Sequence, residues 1–214
     1  MAQQFIVEGN DAYVLTALGT KQGLGYPSGY NKQSFKNFVV KAGSITKIPE
    51  AIRTALQDED VTNIGVVVDA NEVGVQSRID SISASIRQVS PGVDFNIELS
   101  PQGWITELKD GLTFGLWVMP DNASPGYLEH FLARLIPNDD TDLALAEELL
   151  RLTKAAGNPK FPATRDQKAI LSLFLAIQRQ PGMSPQTAIS NGLLDHQNLL
   201  SQNFLTWFTG TFRF

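Results

Sequence analysis

The chain has 214 residues, 43% hydrophobic and 18% charged, with a formal net charge of −5. That length buries a sizeable core, and the composition is that of ordinary globular proteins, which excludes the disordered and fibrous classes. There is no cysteine, so disulfides, thiolate metal sites and cysteine nucleophiles are excluded, and the acidic balance argues against holding nucleic acid by bulk charge alone.

Met1-Ala-Gln-Gln runs straight into Phe5-Ile6-Val7 with no basic segment, long apolar core or small-residue cleavage site. It reads as a first strand ending in Glu8, not as a targeting signal. No stretch approaches the ~20 apolar residues that span a bilayer, so a soluble, cytoplasmic protein in a reducing compartment is expected. A short helix is expected over Ala12–Leu18. Gly19 to Tyr30 carries glycines at 19, 23, 25 and 29 and reads as a long loop; their spacing fits neither the dinucleotide fingerprint nor a phosphate-binding loop. Phe38–Ala42 reads as the second strand. Pro49 then sits near a helix start, with Ile48, Ile52, Ala55 and Leu56 on one face.

Ile64-Gly-Val-Val-Val-Asp69 is the clearest strand, apolar and β-branched as a strand covered on both faces should be. Val75, Ile79, Ile82 and Ile86 follow at helical spacing, which places Asp69 at the carboxyl end of a central parallel strand just before a helix. Phe95–Ile97 and Phe114–Met119 read as further strands, the latter closing in a turn at Pro120-Asp121-Asn122. Beyond about residue 124 the pattern is helical. Leu143, Ala146, Leu149 and Leu150 mark one helix behind Asp139, Asp140 and Asp142. Thr164 and Gln167 suggest a capping box for a second, with Ile170, Leu173, Phe174 and Ile177 as its core face. Ser184-Pro185 starts a third, and the aromatic tail Phe204 to Phe214 is expected on the domain or at a homodimer interface. The fold class is therefore α/β, a mostly parallel sheet flanked by helices, with residues 1–136 as the α/β domain and 137–214 as a helical C-terminal extension packed on it.

Charge is uneven along the chain. Lys21, Lys32, Lys36, Lys41, Lys47 and Arg53 stand against a single acid, Glu50. This segment reads either as a solvated face or as an anion-binding surface, with Lys36, Lys41 and Lys47 the candidates for contact with nucleic acid. His130 and His196 have no helical partner for metal binding and are assigned no role.

The carboxylates carry more. Glu8 precedes a glycine at the end of strand one, and Asp69 closes the central strand. Neighbouring strands lie about 4.8 Å apart, so acids at their carboxyl ends can share one cation, and hard oxygens suit Mg²⁺ or Mn²⁺.

Val7-Glu8-Gly9 before a helix, followed by a strand ending in Asp69-Ala70-Asn71, resembles the Toprim signature: a glutamate on the first strand and Asp-x-Asp on a later one. The chain looks like a family of small uncharacterised bacterial Toprim-like proteins, related to the Toprim domains of overcoming-lysogenization-defect nucleases, primases and topoisomerases. The likeness extends through Gly115–Asn122, Gly126-Tyr-Leu-Glu129 and Lys168-Ala169, and so over nearly the whole chain. It implies Mg²⁺-dependent phosphoryl transfer, most simply a nuclease, with Glu8 as general acid or base and Glu8, Asp69, Asn71 and Glu129 as metal ligands. Lys168 would neutralise charge on a phosphate transition state. Two positions depart from the pattern. Asn71 stands where the second aspartate is expected, and Ala12 where many Toprim proteins carry a further acid, although Asp11 is beside it. These departures leave open a Toprim-like scaffold that has lost catalysis and acts as a binding or regulatory protein.

Overall fold

The computed structural model describes residues 2–91, 95–109 and 111–214. Five strands are present among them: Ala2–Val7 (β1), Val39–Lys41 (β2), Val61–Asp69 (β3), Trp104–Lys109 (β4) and Leu112–Met119 (β5). They form one sheet in the order β2-β1-β3-β5-β4, parallel except for β4, which runs antiparallel to β5. The mixed α/β class with a mostly parallel sheet is thus as expected, and β3 lies in the middle. No helix among the described residues is long and apolar enough to cross a membrane.

Strand alternation divides the core between the two faces. Ile6, Val66, Val68, Leu116 and Val118 point to one side. There they meet the helices Ile48–Gln57 (α3) and Gly74–Val89 (α4), through Ile52, Ile82 and Ile86. Pro49 occupies the first turn of α3, where its missing N–H costs nothing. Phe5, Val7, Val67, Trp117 and Met119 point to the other side. That face is covered by Asp11–Lys21 (α1), Phe35–Phe38 (α2), Leu128–Ala133 (α5), Thr141–Ala155 (α6), Asp166–Ala176 (α7), Pro185–Ser190 (α8) and Leu199–Thr211 (α9).

The aromatic tail is spent in this core. Phe204, Trp207, Phe208 and Phe212 are buried, and Phe208 and Phe212 pack their rings against Phe5 at 5.4 and 5.6 Å. Close approach depends on glycine. Gly65 and Gly115 pair across β3 and β5, and a Cβ on either would collide with Phe212 or Thr211. Buried amides fix the strap that follows. Asn63 Nδ2 donates to the Thr211 carbonyl at 2.8 Å, and Gln3 both accepts from the Arg213 N–H at 2.8 Å and donates to its carbonyl.

Several local expectations give way to longer-range packing. Phe38 ends α2 rather than starting β2, because its ring is buried among Phe5, Phe35 and Phe212. Residues 95–97 are not a strand. Ile97 is buried and Phe95 packs on Trp104, but the sheet edge beside β5 is taken by β4, whose alternation had not marked it as a strand. Helix α1 runs on to Lys21, past Gly19, which is helical and packs on Leu24. The Thr164–Gln167 capping box does not form: residues 163–165 make a 3-10 turn, the Tyr127 hydroxyl takes the Thr164 carbonyl, and α7 begins at Asp166. Its core face is accordingly Leu171, Phe174 and Leu175, and Ile177 is exposed.

Candidate functional site

The carboxyl ends of parallel strands point one way, so residues distant in sequence arrive at a common rim. Glu8 follows β1 directly, where the hydrogen bond from the Gly43 N–H to its carbonyl (2.8 Å) ties the turn to the segment after β2. Asp69 is the last residue of β3. Asp11 opens α1, in the first turn where a carboxylate suits the helix dipole. Glu129 lies in the first turn of α5. All four are half-buried.

They lie close enough to repel one another electrostatically. The Asp69 carboxyl is pushed up to about 7, first by burial and then by Asp11, Glu8 and Glu129; the Leu128 N–H, donating to its Oδ1 at 3.1 Å, pulls the other way. Asp11 is likewise raised, by burial and then by Glu129 and Glu8, with the Gly9 N–H and Lys168 opposing. Four carboxylates from four elements therefore share one region. Asp11, singled out in the sequence as the acid beside Ala12 that could compensate for the one missing there, belongs to this set.

Lys168, on α7, bonds the Glu129 carboxylate with Nζ 3.0 Å from Oε1; the lysine side chain is 63% exposed and the glutamate 20%. Its ammonium thus stands over the rim with its outer side in water. Asn71 has a backbone role: with φ 52°, its N–H and C=O both pair with Gly126, at 2.7 and 3.1 Å. Asparagine tolerates that left-handed conformation, and the bridge fastens the loop before α5 to the end of β3. Asn71 also lines, with Arg78, Tyr127, Glu129, Arg165 and Lys168, an open groove of about 650 Å³. Arg78 Nε donates to the Asp69 carbonyl at 2.8 Å, tying α4 to the rim. His130 engages Tyr127: its Nδ1 accepts the Tyr127 N–H at 3.4 Å.

The three candidate lysines are not one patch. Lys41 ends β2 beside Val7, donates to Asn10 Oδ1 at 2.8 Å and lies 4.7 Å from the centre of the Tyr13 ring, so it borders the acidic rim. Lys36 is on α2, over one face of the sheet, whereas Lys47 precedes α3, over the other.

The donors, hard oxygens of which Glu129 is bonded by Lys168, have the chemistry of a divalent-cation site. They do not form a closed ligand shell. Among the described residues, no group of three or more His, Asp or Glu side chains is arranged to hold a metal ion.

The chain belongs to the DUF3226 family, described as proteins of unknown function, whose model matches residues 2–213. No curated protein and no solved structure matches it.

Proposed function

We propose that this DUF3226 protein is a Mg²⁺- or Mn²⁺-dependent phosphoryl-transfer enzyme of the Toprim type, most simply a nuclease, with the acidic rim as its active site. One observation carries the reading: Asp69 is held near neutrality because burial and three other carboxylates crowd it. A fold gains nothing in stability by converging four acids, and such frustration is typical of sites built for a cation or for proton transfer. Asp69, Glu8 and Glu129 would hold the metal only after their side chains close around it, since they are not arranged as a ligand set without it; the side-chain amide oxygen of Asn71 and the Asp11 carboxylate are further oxygen donors. When bound, the ion supplies charge neutralisation and Lewis acidity at a phosphoryl oxygen.

The chain's own residues do the rest. Glu8, in the turn after β1 next to a glycine, moves the proton of the attacking or leaving oxygen. Lys168 meets the phosphate as a point charge, its ammonium already at the rim. Arg78 fixes the Asp69 backbone and so the orientation of its carboxyl group.

The second reading, a binding or regulatory scaffold without catalysis, is favoured by the backbone role of Asn71 and by the open arrangement of the acids. One experiment separates the two. Purified chain is assayed on single- and double-stranded DNA and RNA with Mg²⁺ or Mn²⁺, alongside Glu8→Gln. Metal-dependent cleavage that Glu8→Gln loses supports the enzyme; equal activity in both proteins, or none in either, removes it.

A further inference from the structure

Beyond the acidic rim, Arg165 and Lys168 form a ridge between two cavities. On one side is the groove that holds Glu129, Arg78 and Tyr127. On the other is a cavity of about 560 Å³ lined by Leu150, Phe161, Ala169, Leu173 and Ala176, with Thr153 and Ser172 supplying the few polar groups. Arg165 and Lys168 line both. An apolar cleft with an aromatic ring, joined through two cations to an acidic rim, matches a ligand with an apolar planar body and a phosphate.

We infer that the α6–α7 cleft is a nucleoside-binding subsite: a base lies against Phe161 and Leu173, and the attached phosphate sits on the Arg165–Lys168 ridge, facing the acids. The size of the cavity falls within the range of small-ligand sites, about 300–1,000 Å³. Its wall carries few hydrogen-bonding groups, so it takes bases by apolar contact and stacking rather than by reading their edges. The same chemistry comes from a free nucleotide or from the terminal nucleotide of a strand, and either would reach the ridge in the same orientation. This inference rests on the phosphoryl-transfer reading only in assigning the phosphate to the catalytic rim; the subsite stands on its own lining.

The test is calorimetric binding with Mg²⁺ and, separately, with EDTA. The probes are AMP, adenosine, inorganic phosphate and a 5′-phosphorylated tetranucleotide, and the proteins are wild type, Phe161→Ser and Arg165→Gln. AMP or the tetranucleotide should bind at least about tenfold tighter than inorganic phosphate, in keeping with stacking on one aromatic ring. Phe161→Ser should lose about that factor for both nucleotides and leave inorganic phosphate unchanged. Arg165→Gln, at an exposed position, should weaken every phosphorylated probe and spare adenosine. A tighter tetranucleotide than AMP identifies strand ends as the source, and the reverse identifies free nucleotide. If no nucleotide exceeds inorganic phosphate in either buffer, or if Phe161→Ser binds nucleotides like the wild type while keeping its melting temperature, the subsite is overturned. Mg²⁺ binding without any nucleotide preference refutes the subsite and leaves the catalytic reading intact; a nucleotide preference in EDTA without Mg²⁺ binding does the opposite.

Discussion

The acid cluster makes its own stability prediction through Asp69→Asn. Asparagine keeps the side-chain shape and can still accept the Leu128 N–H on Oδ1, so the change removes charge and little else. The folded carboxyl titrates near 7 against an ordinary 3.8, and that gap is about 4 kcal/mol at ~1.36 kcal/mol per pH unit. This is a ceiling, because neighbouring acids relax. The folded value lies above the unfolded one, so the folded chain binds the proton more tightly, and stability falls as pH rises from about 4 through about 7 and then levels off. The expected difference between Asp69→Asn and wild type is therefore near zero at pH 4. It grows by up to ~1.4 kcal/mol per pH unit and reaches a plateau above pH 7, with the variant the more stable. Urea unfolding of both proteins in EDTA, from pH 4 to 8.5, measures it. An Asp69→Asn protein no more stable than wild type at pH 8, or a difference that ignores pH, would refute the claim that burial and the neighbouring carboxylates hold the Asp69 titration up. Adding Mg²⁺ at a hundred times its dissociation constant should return about 2.7 kcal/mol to the wild type and much less to the variant.

Other consequences are structural or local to the rim. Gly115→Ala places a Cβ against Thr211 and 3.0 Å from the Trp207 Nε1; overpacking of this kind costs about 1–3 kcal/mol, read as a lowered urea midpoint with an unchanged slope. Asn63→Ala leaves the buried Thr211 carbonyl without its donor, for a loss of about 1–3 kcal/mol, and hydrogen exchange should show α9 opening before β3. Lys168→Met breaks an ion pair whose lysine is 63% exposed, so stability should change by less than about 1 kcal/mol. The Mg²⁺-induced rise in melting temperature should persist, while cleavage of phosphodiester substrate falls by about a hundredfold; unchanged cleavage removes Lys168 from the site.

Some of this was readable directly from the chain. The run Ile64–Asp69 could be little but a central strand, because continuous β-branched residues need cover on both faces, and such a strand ends at the rim where ligands bind. Glu8 and Asp69 were legible for the same reason: position at a strand end is a local property. Helices α3, α4 and α8 announced themselves through Pro49, the isoleucine stripe and Ser184, whose hydroxyl accepts the Thr187 N–H.

What the sequence could not decide depends on partners far along the chain. Asp11 looks like an ordinary helix-start acid until the fold buries it and α5 brings Glu129 near it, and its raised titration comes first from that burial and then from Glu129 and Glu8. Thr164 and Gln167 spell a cap locally, yet Thr164 lies inside a 3-10 turn over 163–165, its carbonyl held by Tyr127 from 37 residues away, and the helix starts at Asp166. Residues 95–97 have strand chemistry, but the place beside β5 is filled by β4. Residue type and periodicity set which face each segment buries, since those are nearest-neighbour effects. Charge crowding, the lining of clefts and competition for backbone groups arise only when separate elements meet, so tertiary structure alone decided which acids crowd one another.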